Sequence, residues 1–217
     1  MNSYTDSELS SFPWIVSCDT LKSEHLLVKF WETAAQLNAD LFSVLSTLEL
    51  LVGEDSSETD WNDELACETI QSLTDILQDC APSGFCFGSN EGDGACFGFW
   101  LNEDWCHALE IMGLGDCDPA GWASLIATLE RDGIDPENIE DSYCGRADGH
   151  SEELAGADYA LELAQENWLP ESTNGIGWNV WPLTCIDWGH AWRDLEMGDG
   201  YRLHNIGGGE WLVFRNC

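Results

Sequence analysis

The chain has 217 residues, 44% of them apolar and 11% aromatic, and it sets 41 Asp and Glu against 7 Lys and Arg for a formal charge of -34. The apolar share excludes a disordered acidic tail and calls for packed cores, while the charge excludes nucleic acid, phosphate-rich ligands and anionic membrane surfaces as direct ligands. No apolar run approaches the roughly 18 residues of a membrane span, and no basic stretch leads an apolar one at the start of the chain, so the sequence reads as that of a soluble protein, cytoplasmic in its host cell.

In chain order, Leu26, Phe30, Leu37, Leu41, Leu45, Leu48 and Val52 recur mostly at three- and four-residue steps, the stripe of one or two amphipathic helices that Gly53 breaks. Residues 54–60 are polar and acidic and read as a loop; Leu65, Ile70, Leu73, Ile76 and Leu77 mark a second helical region ending before Pro82. The period then changes. Phe85 and Phe87 alternate, residues 90–94 supply turn chemistry, and Phe97 and Phe99 alternate again, which predicts a β-hairpin. Asn102 is placed to cap a short helix with Trp105, Leu109 and Met112 on one face, stopped by Gly113 and Gly115. After Asp118 and Pro119 a helix over residues 121–131 turns Trp122, Leu125, Ile126 and Leu129 inward and ends at Gly133. Pro136 opens a further helical turn. Glu152 and Glu153 lead into a helix over 154–168 whose buried stripe is read as Leu154, Ala157, Leu161, Ala164 and Trp168, with Asp158, Glu162 and Glu166 in a row beside it. The tail, 201–206 and 210–214 around Gly207, Gly208 and Gly209, predicts a second hairpin. The whole is an α+β chain, elongated, in three segments: 1–82 helical, 83–120 a hairpin plus helix, and 121–217 an acidic region ending in a hairpin.

Signatures of catalysis are missing: there is no G-x-S-x-G, H-E-x-x-H, Walker or dinucleotide-binding fingerprint. Cys185, Asp187 and His190 lie close in sequence, but such neighbours rarely assemble a nucleophile triad. The acids of residues 90–94 miss the calcium-loop spacing. Cys80, Cys86, Cys96, Cys106 and Cys117 recur without a C-x-x-C pair, which favours reduced, buried thiols over a zinc site. No enzyme activity, cofactor or metal is expected.

Three strings carry a resemblance: residues 135–145 (DPENIEDSYCG), residues 158–167 (DYALELAQEN), and Ile186, Asp187 and Trp188 followed by Arg193, Asp194 and Leu195. With Leu169, Pro170 and Glu171 at a joint and a hairpin to close, residues 121–216 resemble ArdA-type antirestriction proteins. That resemblance implies an acidic, elongated, often dimeric mimic of bent B-form DNA that occupies the DNA groove of type I restriction-modification complexes. Gly189 and His190 depart from the family, and residues 172–185 form a longer, Trp-rich joint; the first 120 residues carry no such likeness.

Charge points the same way. Residues 30–130 hold twenty acids and no Lys or Arg, and at one duplex charge per about 1.7 Å, 34 excess charges match about 58 Å of duplex. The expected partner is therefore the basic groove of a restriction-modification complex or another DNA-binding protein, with a CRISPR effector as the close variant and a homodimer left open. The expected partner-binding acids are Asp135, Glu137, Glu140, Asp141, Glu152, Glu153, Asp158, Glu162, Glu166, Glu171, Asp187, Asp194 and Glu196. The competing expectation is a halophile's soluble binding protein, acidic to stay dissolved in molar salt.

Overall fold

The computed structural model describes residues 4–18, 20–37, 39, 41, 44, 64–114, 118–168 and 185–216. It is α+β, with two antiparallel three-stranded sheets and helices packed on each. The chain divides into two compact units, Met1–Cys106 with Asp116–Glu130, and His107–Gly115 with Arg131–Cys217. The first therefore takes residues from all three of the segments set out above.

In the first unit, α1 (Asp6–Ser10) opens on a capping box: Thr5 accepts from the Glu8 amide, and the Glu8 carboxylate accepts from the Thr5 amide at 2.8 Å. Helices α2 (Ser23–Gln36) and α3 (Glu64–Asp79) pack together over a sheet of β1 (Ile15–Ser17), β2 (Phe85–Ser89) and β3 (Phe97–Leu101), in the order β1-β3-β2. The predicted hairpin is β2 and β3, with Phe87 opposite Phe99. Phe30 of α2 meets Phe87 at 5.1 Å, Phe87 meets Phe99 at 5.0 Å, and Phe99 meets Phe12 at 4.8 Å. These rings, with Leu26, Ala34, Leu73 and Leu77, form the core. Strand β1 reaches β3 because position 98 is Gly, where a Cβ would strike the Trp14 carbonyl. The predicted stripe from Leu26 runs as read through α2; Leu45, Leu48, Val52, Gly53 and the loop 54–60 lie outside the described residues.

Cysteine chemistry corrects the sequence reading. Cys18 and Cys96 form a disulfide that ties the end of β1 to the turn before β3. Cys106 is exposed and Cys86 half-buried, so of the five recurring cysteines only Cys80 is a buried thiol, with Cys117 outside the described residues. Spacing along the chain carried no information about which cysteines the sheet brings together.

Helix α4 (Glu103–Ile111) starts at its expected cap, Asn102, which accepts from the Trp105 amide at 2.9 Å, and α5 (Pro119–Arg131) starts behind Asp118, a cap the sequence reading did not name, which accepts from the Gly121 amide at 2.9 Å. Pro119 fills the first position of α5, two residues before the expected start. Gly113 and Gly133 end these helices at φ +63° and +81°.

In the second unit a 3-10 turn (Pro136–Asn138) and α6 (Ile139–Ser142) feed β4 (Tyr143–Asp148), a strand the sequence reading did not anticipate. Strands β5 (Tyr201–Gly207) and β6 (Glu210–Arg215) are the predicted hairpin, and β4 pairs with β6 to give the order β4-β6-β5. Buried on both faces, β6 reads as Leu212, Val213, Phe214 without alternation. Helices α7 (Glu152–Trp168) and α8 (Trp188–Gly198) pack on each other beside this sheet. The expected stripe of α7 is corrected. Leu154 is 57% exposed, and the buried line is Ala155, Gly156, Tyr159, Ala160 and Ala164. The cause lies on α8: the Trp192 ring seats directly on Gly156 and meets Tyr159 edge-on at 6.2 Å, which turns the helix by about one residue. The Trp168 side chain lies outside the described residues.

Candidate functional site

Every expected partner-binding acid falls in the second unit. Eleven of the thirteen are exposed, Asp158 is half-buried, and Glu171 lies outside the described residues. Asp135 precedes the 3-10 turn, Glu137 sits within it, and Glu140 and Asp141 open α6. Glu152 and Glu153 fill the first turn of α7, where the helix dipole welcomes them. Asp187 caps α8, accepting from the His190 amide at 3.0 Å, so its carboxylate is committed to that helix end. Asp194 and Glu196 follow on α8.

The row on α7 is the most strained electrostatically. Asp158, Glu162 and Glu166 are four residues apart, about 6 Å along the axis. Glu162 is held above the ordinary carboxylate value, first by partial burial and then by Asp158, Glu166 and Asp148. Asp148, at the end of β4, was not foreseen; only the unpredicted strand brings it to the row. Among the described residues none of the candidate acids is ion-paired to Lys or Arg, and Glu140 alone faces a histidine, His107 at 3.7 Å.

Three of the five arginines of this unit are spent elsewhere. Arg146 donates to the Met112 carbonyl at 2.9 Å and to that of Gly113, closing the C-terminal end of α4, and its other amino group lies 3.8 Å from Glu210. Arg215 lies over the Tyr201 ring at 5.7 Å. Arg131 lies 3.6 Å from Asp132. Compensation by these side chains goes to other acids and to the fold, leaving the candidate acids uncompensated.

A second acidic stripe lies in the first unit, outside the region of resemblance. Glu64, Glu68, Asp75 and Asp79 of α3 are all exposed and, at 100° per residue, fall within an arc of about 60° over about 22 Å. Their spacing in the sequence was the available signal. By units, 23 acids against Lys22 and Lys29 give the first a formal -21, and 18 acids against five Arg give the second -13, which together account for -34.

Other chemistry is sparse. Among the described residues no group of three or more His, Cys, Asp or Glu is arranged to hold a metal ion. In the turn before β3, Asn90 accepts from the amides of Gly92 and Asp93, and Asp93 from that of Ala95, so the oxygens that a calcium loop would use serve the turn. Among the described residues no helix is long and apolar enough to cross a membrane. Comparison with protein-family models, characterised proteins and solved structures finds no match for this chain.

Proposed function

We propose that this protein is a DNA mimic that inhibits a DNA-binding defence complex, foremost type I restriction-modification, by occupying the basic groove that holds the duplex. The observation that carries the reading is the set of candidate acids on the second unit: exposed with one exception, and none paired to Lys or Arg among the described residues. The ArdA resemblance of residues 121–216 points to the same target, and the first unit carries an acidic stripe of its own on α3.

The chemistry is charge substitution. Carboxylates held by helices α7 and α8 and by the turn before β4 meet Lys and Arg that otherwise hold phosphates, and the partner gives up its duplex for a preorganised anion. Because phosphates position a protein while base edges specify the sequence, a mimic of charge alone inhibits irrespective of the recognition sequence of the enzyme. Binding weakens as salt screens the paired charges. No catalysis, cofactor or direct contact with nucleic acid is involved, the site of action is the host cytoplasm, and a homodimer would double the length of duplex imitated.

The test is phage plating on isogenic hosts with and without a type I system, with this protein expressed from a plasmid. Unmodified phage plate efficiently on the restricting host only when the protein is made, and duplex DNA competes with the purified protein for the enzyme. Unchanged restriction with expression confirmed removes that system as the target. The same plasmid in a CRISPR interference assay then decides between the two kinds of complex.

A further inference from the structure

Helix α2 turns one side to the core and leaves the other unpartnered. Leu26, Leu27, Phe30, Thr33 and Ala34 are buried, while His25, Val28, Lys29, Glu32 and Ala35 are exposed and, at 100° per residue, share an arc of about 120°. Leu21 and Lys22 stand exposed at the head of the helix, with Lys22 its cap residue. The outward side of an ordinary surface helix is polar. Here Val28 is 49% exposed and Leu21 66%, two of the three large apolar side chains that the first unit exposes among the described residues.

The charge of this face is equally out of keeping with the chain. Lys22 and Lys29 are its only lysines, and both stand here. Against them are Glu32, which accepts from Lys29 at 3.1 Å, and Glu24 at the margin, 3.6 Å from His25. Two Lys against two Glu leave the face formally neutral on a unit of formal -21. A second copy of so acidic a molecule is repelled by like charge over most of its approach, and this face is an exception. The sign also changes along the helix: Lys22 and His25 lie toward its N-terminal end and Glu32 toward its C-terminal end, so the face complements itself when reversed.

We propose that this face is an interface between two copies of the chain, their α2 helices antiparallel across a two-fold axis at Val28. Such an interface is isologous, each contact being made twice. Val28 meets Val28 of the second copy, Leu21 lies toward its Ala35, and Lys22 and His25 lie toward its Glu32. Reversal also sets each positive helix N-terminus beside a negative C-terminus. The apolar side chains lose water at the axis while the charged pairs fix the direction, since a parallel arrangement would set Lys22 against Lys22 and Glu32 against Glu32. One helix pair buries less than the roughly 1,600 Å² of a standard interface, so the dimer is weak, with a dissociation constant on the order of 10 μM. The inference stands on the first unit alone and not on the mimic reading, which leaves the pairing of copies open.

The experiment is sedimentation velocity of the whole protein at physiological ionic strength, its accessible free thiols alkylated, at concentrations on either side of that constant. A reversible rise from monomer toward dimer is expected. Val28→Glu sets two carboxylates against each other at the axis and weakens association about tenfold or more, with circular dichroism confirming that this exposed change leaves the fold intact. Leu154→Glu adds the same charge at an exposed position of the second unit and leaves association unchanged. His25→Glu and Glu32→Lys each weaken it by setting like charges together, and an equimolar mixture of the two associates more tightly than either alone. A monomer at every concentration, equal losses in Val28→Glu and Leu154→Glu, or a mixture no tighter than its components overturns the proposal. Because only mass is read, each of these outcomes is independent of whether the protein relieves restriction.

Discussion

At Gly156 the second unit depends on a missing side chain. The Trp192 ring occupies the space a Cβ would take. Ala improves helix propensity by about 1 kcal/mol over Gly, but overpacking a buried contact costs about 1–3 kcal/mol, and the obstructing atoms are the ring itself. Gly156→Ala is therefore expected to destabilise by up to about 2 kcal/mol in urea unfolding and to alter the near-ultraviolet signal of Trp192. Glu162 shows the opposite case, a side chain kept despite its neighbours. Removing one of several like charges at four-residue spacing is worth a few tenths of a kcal/mol, so Glu162→Gln raises stability by roughly that amount at neutral pH and low salt. With its folded-state pKa above the ordinary 4.5, the native state binds its proton first. The stabilisation from protonation is complete below about 4.5 and is lost as pH rises through the folded value. The advantage of Gln over Glu accordingly vanishes in acid, which unfolding curves across pH will show. An acid retained at a cost to the fold is consistent with use at an interface.

Among the elements, those that announce themselves by period or punctuation were legible: both hairpins, the Asn102 cap, and the glycine stops at 113 and 133. Strand β1 has three residues, too few to display alternation, and its place depends on Gly98 rather than on its own side chains. Strand β4 follows α6 with its faces half-covered, a pattern read only once β6 is beside it. The capping box of α1 was written in the sequence as Thr5 and Glu8 and went unread. The acids of the second unit were named from the sequence, but Asp148 joins them through sheet pairing that no linear spacing encodes. The disulfide was equally invisible, and it makes a sharp prediction. Its partners are 78 residues apart, and closing a loop of that length in the unfolded chain is worth up to about 4.5 kcal/mol by loop entropy. Cys18→Ser/Cys96→Ser, or reduction of the native protein, is expected to lower the denaturant midpoint, and a reductant should have no further effect on the double variant.

For the molecule as a whole, a formal -34 is a standing self-repulsion. Added salt screens it over a Debye length of about 8 Å at physiological strength, so the melting temperature rises with NaCl while binding to a basic partner weakens. The two trends together separate a charge-bearing inhibitor from a protein acidic only for life in brine. The latter unfolds as salt is withdrawn to low ionic strength, whereas a mimic stays folded there and binds best; circular dichroism and competition binding across one salt series measure both.

The division of the chain carries a consequence for any fragment of it. It passes between the units after Cys106, after Gly115 and after Glu130, and the Met112 and Gly113 carbonyls that receive Arg146 lie on the short insert, far in sequence from the strand they brace. A single recombination break, wherever it falls, cannot release both units whole: a cut at 130 keeps the first unit but strips the second of that insert. A fragment that begins at Arg131 therefore lacks the carbonyls that hold Arg146, and is expected to be less stable than the same residues within the whole chain.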